Sequence, residues 1–208
     1  LTCVNSDKSD IDYIISKLKD KGIENILALR GDKKPDFKPK NDFSYAYELI
    51  EYIKHDPYFS VSAACYPECH PECDIFFDDI MHLKSKVDIG AQHLISQLFF
   101  DNQVFYDFVD KARLAGINVP IEAGIMPIVN KKQIERMVSL CGASIPHKFS
   151  KMMSRFGNNP EAIRDAGIAY AIDQIVDLIS NGVDGIHLYT MNNPYVAKKI
   201  FTAIDSLR

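Results

Sequence analysis

Residues Asp20–Asp32 read DKGIENILALRGD. A glycine closes a helix-like stretch, a few residues pass, and a short apolar run follows. Glycine just beyond a helix supplies a left-handed turn at no steric cost. A continuous apolar run suits a strand buried on both faces, as in a parallel sheet. The unit recurs as VDIGAQHLISQLFFD around Gly90, LAGINVPIEAGI around Gly116 and SNGVDGIHLYT around Gly182. SVSAAC, residues 60–65, reads as a further strand.

Helical stripes fill the gaps. Ile11, Ile14, Ile15 and Leu18 follow i, i+3, i+4, i+7 behind a Ser9/Asp10 cap. Phe76, Ile80, Leu83 and Val87 make a second stripe, and Val104, Phe105, Phe108 and Val109 a third. Ile163, Tyr170, Gln174, Ile175 and Leu178 lie on a long helix after Pro160. Alternating strands and helices predict right-handed βα units on a parallel sheet. Leu1–Val4 is apolar, lacks an initiator Met, and reads as the end of a strand whose upstream residues are missing. That gives one strand end and five complete strands. A (β/α)8 barrel has eight strands in ~250 residues. The expected fold is therefore α/β, a (β/α)8 TIM barrel lacking about the first two βα units, with residues 1–208 as one partial catalytic domain. Strand count alone leaves an open doubly wound sheet as the rival.

The 208 residues carry a net charge of -4, which argues against nucleic acid or an anionic membrane as partner. No apolar run approaches the ~18 residues of a membrane span, and no signal peptide is visible. Five cysteines, an odd number, do not suggest a disulfide framework. A cytoplasmic location is expected.

Barrel enzymes place their chemistry at the C-terminal ends of strands. Those ends carry Arg30, Gly31 and Asp32; Tyr66, with His70 four residues on; Gln97; and Tyr189 with Thr190. Polar strand ends can equally be simple solvent contacts. Asp79, His82 and Lys86 form a polar stripe, which by itself reads as solvated surface. Arg30-Gly31-Asp32 closes a buried strand, so an adhesion motif is discounted.

Residues 65–73 read CYPECHPEC. The C-x3-C-x3-C spacing of Cys65, Cys69 and Cys73 matches no common zinc or iron–sulfur signature. Pro67 and Pro71 favour a loop, so the cysteines should not stack on one helical face.

Together these strings resemble the methylenetetrahydrofolate reductase family, flavin-dependent (β/α)8 enzymes of one-carbon metabolism. The matching strings are LTC, NILALRGD, YPECHPE, QLFFDNQVFYDFV, GIMPI followed by NKKQ, and IHLYTMN, in the family's order and across essentially the whole chain. The resemblance implies FAD as cofactor, contacted by Arg30, Gly31, Asp32, Tyr45, Ala46, Tyr66, His70, Asp79 and Lys86. It implies methylenetetrahydrofolate as substrate, contacted by Asp32, Gln97, Gln133 and Tyr189, with Asp32 catalytic. NADH or NADPH would be the hydride source in a ping-pong reaction, Gln97 serving both substrates in turn. No metal is implied. A homo-oligomer is expected of the complete protein.

Three departures stand out. The family's proton-donating glutamate precedes the LTC string and is absent from this sequence. Asn193 stands where bacterial members often carry an arginine, and Met137 where the family has an aromatic residue. Two alternatives follow: a non-catalytic flavin- or folate-binding protein, and a barrel enzyme with a metal or cluster on Cys65, Cys69 and Cys73.

Overall fold

The computed structural model describes residues 1–32, 40 and 42–207. Among them are strands β1 (Asn25–Ala28), β2 (Ser60–Cys65), β3 (His93–Ser96), β4 (Ile121–Ile125) and β5 (Gly185–Leu188). They form one parallel sheet in the order β1-β2-β3-β4-β5. The order never reverses, so the sheet has no topological switch point and the doubly wound alternative falls. Thr2 bridges Leu29 in parallel, and the Cys3 and Val4 N–H groups donate to the carbonyls of Leu29 and Arg30 at 3.2 and 2.9 Å. The opening residues thus run beside β1, as a strand end should.

Helices α1 (Lys8–Asp20), α2 (Ala46–Ile53), α3 (Phe76–Ile89), α4 (Asn102–Leu114), α5 (Lys131–Cys141), α6 (His147–Phe156), α7 (Pro160–Ser180) and α8 (Pro194–Ala203) occupy the connections. Gly22, Gly90, Gly116 and Gly182 all have positive φ, as their place after helices requires. The α1 cap differs from the expected Ser9/Asp10. Asp7 is the N-cap, accepting from the Asp10 N–H, and Asp10 answers from position N3 in a capping box. Ser9 instead donates to Asp7. α2, α5, α6 and α8 lie outside the stripes read from the sequence. No helix among the described residues is long and apolar enough to cross a membrane.

The strands are not buried equally on both faces, contrary to the reading of continuous apolar runs. Burial alternates along β2 and β3. Val61, Ala63, Cys65 and Leu94 join the main core with Ile50, Ile53, Ile80 and Leu83 from the helices. The other face carries polar groups from successive strands. Ser62 Oγ meets His93 Nδ1 at 3.2 Å, His93 lies 3.4 Å from Glu122, and His187 lies 3.5 Å from Glu122. Alternation was masked because alanine, serine and histidine are small or ambivalent enough to sit on either face.

A second apolar cluster covers the C-terminal ends of β3 and β4. Leu98, Phe100, Met126, Ile128, Ile134 and Phe149 form it, with Met137 and Tyr189 packed against it. It fixes α5 and α6 over one end of the sheet, and it is there that the polar strand ends gather.

Candidate functional site

Arg30 follows β1, and its guanidinium grips Glu72 with two bonds, at 2.5 and 2.8 Å. This fork geometry suits a carboxylate or a phosphate equally. Tyr66 and His70 follow β2, with ring centroids 4.6 Å apart and an interplanar angle of 75°. Burial pushes the Tyr66 phenol up. Burial, then the charge of Arg30, pulls the His70 imidazole down, so the ring is held neutral. The His70 Nδ1 accepts the Glu72 N–H at 3.0 Å, and its backbone N–H donates to Asp79 Oδ2 at 3.1 Å. Lys86, two helical turns beyond Asp79, donates to the Ala64 carbonyl of β2 at 3.1 Å.

Five of the expected residues, Arg30, Tyr66, His70, Asp79 and Lys86, therefore share the ends of β1 and β2. The donor set combines two cations, a carboxylate and an aromatic pair. It suits a ligand with phosphates, hydroxyls and a flat ring. Tyr45 is the N-cap of α2 and is exposed, and Ala46 opens the helix. The Cys3 thiol reaches the carbonyls of both Arg30 and Tyr45, at 3.7 and 3.6 Å, which ties α2 to the same end. Gly31 packs on Thr2. Asp32 is exposed, with its carbonyl accepting from Asn5 at 3.4 Å.

Burial of the Lys86 ammonium lowers its pKa from the ordinary 10.5, against the pull of Asp79. Between the lowered value and 10.5 the unfolded chain binds the extra proton, so this group makes stability rise with pH. Buried thiols and phenols act in the opposite sense. The informative quantity is therefore wild-type stability minus that of Lys86→Met. It is expected to climb with pH through this window, by up to ~1.4 kcal/mol per pH unit. Urea unfolding as the pH is raised toward 10.5 reads it, and a flat difference would show that Lys86 is not desolvated.

The second half of the site lies on β3, β4 and β5. Gln97 Oε1 accepts the Leu98 N–H at 2.9 Å, and Gln133 Oε1 accepts the Val129 N–H at 3.2 Å. With both oxygens held by backbone, each carboxamide is oriented to offer its N–H donors. Gln133 also closes the first turn of α5 behind the Asn130 cap. Tyr189 crosses from β5 over β4, and its hydroxyl donates to the Ser96 carbonyl of β3 at 3.0 Å. Burial, then the nearby Cys65 and Tyr66, push its phenol up to about 12.

The crossing is possible because Gly124 has no side chain. A Cβ there would lie 2.1 Å from the Ser96 carbonyl oxygen and 2.8 Å from the Tyr189 ring. The fully buried Ser96 hydroxyl accepts the Gly124 N–H at 2.8 Å, satisfying what the sheet leaves open. Gly124→Ala is expected to cost ~1–3 kcal/mol and to dislodge Tyr189 from Ser96. Urea unfolding reads the loss. A variant with unchanged stability would contradict the tight crossing.

Sequence reading missed Ser96 and Gly124, and also Glu72 and Glu68. Glu68 Oε2 accepts the Ser144 N–H at 2.9 Å, joining the loop after β2 to the α5–α6 connection. Its other oxygen is buried with no hydrogen-bond partner among the described residues. Nothing in composition separates these glutamates from the solvated ones. Asn193, at the departure from the bacterial arginine, caps α8 by accepting the Val196 N–H at 3.3 Å.

The cysteine triad is not gathered. Cys65 ends β2 inside the core, where burial pushes its thiol up to about 12; burial also raises Cys69, to about 11. Proton-holding thiols are poor ligands. Cys65 and Cys69 belong to no potential metal-binding group among the described residues.

The sequence profile of methylenetetrahydrofolate reductase matches residues 1–205. The chain belongs to the methylenetetrahydrofolate reductase family. It is 36% identical over 208 residues to methylenetetrahydrofolate reductase (NADH) 1 of Arabidopsis thaliana, covering 92% of this chain and 35% of that protein. It is 37% identical over 207 residues to 5,10-methylenetetrahydrofolate reductase of Buchnera aphidicola, covering 99% of this chain and 69% of that protein. The chain thus spans about a third of the plant reductase. A solved protein of Clostridium thermocellum, described as binding two copies of 5-methyl-5,6,7,8-tetrahydrofolic acid, shares the fold with TM-score 0.60. At 16% identity that match covers 100% of this chain and 93% of the other.

Proposed function

We propose that this chain carries the catalytic site of a methylenetetrahydrofolate reductase, in which NAD(P)H drives FAD-dependent reduction of 5,10-methylenetetrahydrofolate to 5-methyltetrahydrofolate. The observation that carries the reading is the convergence of Arg30, Tyr66, His70, Asp79 and Lys86 on the ends of β1 and β2. Sequential parallel strand order supports a (β/α)8 barrel. In it, the face bearing Ser62, His93, Glu122 and His187 is the lumen.

Arg30 and Lys86 would hold the FAD pyrophosphate, Asp79 its ribose hydroxyls, and Tyr66 and His70 its flat ring. Gly31, Tyr45 and Ala46 would complete the wall. What FAD supplies when bound is a hydride carrier between the two substrates. Gln97 and Gln133 present N–H donors to the pterin edge, and Tyr189 closes the pocket beside them. Gln97 serves the nicotinamide as well, since both substrates use one pocket in turn. Asp32 holds a negative charge where the opened folate becomes a cationic iminium, and stabilises that cation electrostatically. The plant relative is an NADH enzyme by name, which favours NADH over NADPH. Action as a cytoplasmic homo-oligomer belongs to the same proposal.

The test is to purify the full-length protein and follow NADH-dependent reduction of methylenetetrahydrofolate. A yellow protein that turns over is the expected result. Flavin bound without turnover would favour a binding protein, and a colourless, inactive protein would remove the proposal.

A further inference from the structure

We infer that Cys73, Asp79 and His82 form a binding site for a thiophilic divalent cation of the zinc class. A ligand atom of each lies within 4.8 Å of the other two. Asp79 and His82 are spaced i, i+3 on α3, so they share a face. Cys73 comes from the loop that enters the helix.

The site is supported around its ligands. The Cys73 N–H donates to the His70 carbonyl at 2.8 Å, and the Cys69 thiol donates to the Cys73 carbonyl at 3.1 Å. These bonds fix the loop that carries the thiol. The His70 N–H holds one oxygen of Asp79, which leaves the other for a metal. This is the outer-shell bonding that orients a carboxylate ligand. Cys73 and His82 also line an open groove of about 320 Å³ that includes Asp74 and Asp78. Its carboxylates favour the approach of a cation.

The donor types select the metal. One thiol, one imidazole and one carboxylate suit zinc or cobalt, whereas magnesium and calcium prefer all-oxygen shells. Tetrahedral zinc would bring the ligand atoms to ~3.6 Å from one another, and the exposed His82 side chain can swing to close the gap. Binding exchanges the Cys73 S–H bond for a sulfur–metal bond and releases that proton to solvent. Three protein ligands leave a fourth position for water. Cys73, unlike the buried Cys65, is placed to take part, so the metal chemistry of CYPECHPEC rests on its last cysteine alone. The site does not require the reductase reading, but it shares Asp79 with the FAD site proposed above, so flavin and cation would compete for the one oxygen that His70 leaves open.

Anaerobic titration of the full-length protein with Co2+, followed by displacement with Zn2+, tests the inference. One Co2+ per chain is expected, with an intense thiolate-to-cobalt charge-transfer band. Cys73→Ser should abolish the band, and His82→Ala should weaken binding at least ~10-fold. Cys141→Ser, far from these ligands in the chain, should leave both unchanged. Uptake that is not stoichiometric would overturn the site. So would a band that survives Cys73→Ser, or wild-type affinity in His82→Ala. His82 is exposed, so its variant reports on binding even if Cys73→Ser is less stable.

Discussion

Gly167→Ala is expected to destabilise the protein by about 3 kcal/mol or more, near the upper end for overpacking. Gly167 is buried in α7, and a Cβ there would lie 1.6 Å from the Ile128 carbonyl oxygen. That atom is backbone, so no side chain can rotate out of the way. Ile128 is itself buried with Phe100 and Phe149 in the second apolar cluster. Relief would require α7 to lift away from the chain after β4. Helix propensity alone predicts the opposite sign, a gain of ~1 kcal/mol for alanine over glycine. Chemical denaturation therefore separates the two effects. The control is Ala169→Gly, at an exposed position on the same helix, which should cost only the propensity difference. Equal or greater stability in Gly167→Ala would show that α7 does not pack as closely as described.

Asp32→Asn is expected to lower turnover with methylenetetrahydrofolate by ~10²–10³-fold, the scale of removing one electrostatic contact to a charged transition state. Asparagine keeps the shape and removes the charge. Asp32 is exposed at the end of the segment after β1, so the melting temperature should not move. If the charge acts on the cationic folate, the loss falls on kcat more than on KM. Near-wild-type turnover would remove Asp32 from the reaction. A matched rise in KM with kcat unchanged would make it a binding residue only.

The strands and the glycine stops were legible because both are local signals. A glycine after a helix and an apolar run after it need no partner to be recognised. The helices α2, α5, α6 and α8 were less so. α5 and α6 are short and serve the second cluster, whose apolar residues come from five separate segments. No single window of sequence contains that pattern. The α1 cap was displaced from Ser9/Asp10 to Asp7 because Ser6, Asp7, Ser9 and Asp10 are all residues that can cap, and only the turn geometry selects among them.

The site shows the same division. Arg30, Tyr66, Gln97 and Tyr189 could be placed at strand ends from the sequence. The family resemblance added Asp79 and Lys86, residues whose spacing alone read as surface. The alternative built on three evenly spaced cysteines failed for a tertiary reason. Cys65 points into the core from a strand, while Cys69 and Cys73 lie in a loop.

The sequence by itself determined the alternation of strand and helix, the family, and the strand ends that carry polar chemistry. These follow from periodicity, from glycine's conformational freedom, and from strings kept in order. Only the tertiary structure decided the sequential sheet order, the burial of Lys86, and the passage of Tyr189 over Gly124 to Ser96. It also decided that Cys73 lies within reach of Asp79 and His82. Each of those depends on atoms distant in the chain competing for the same few ångströms, and no local pattern records which of them will arrive.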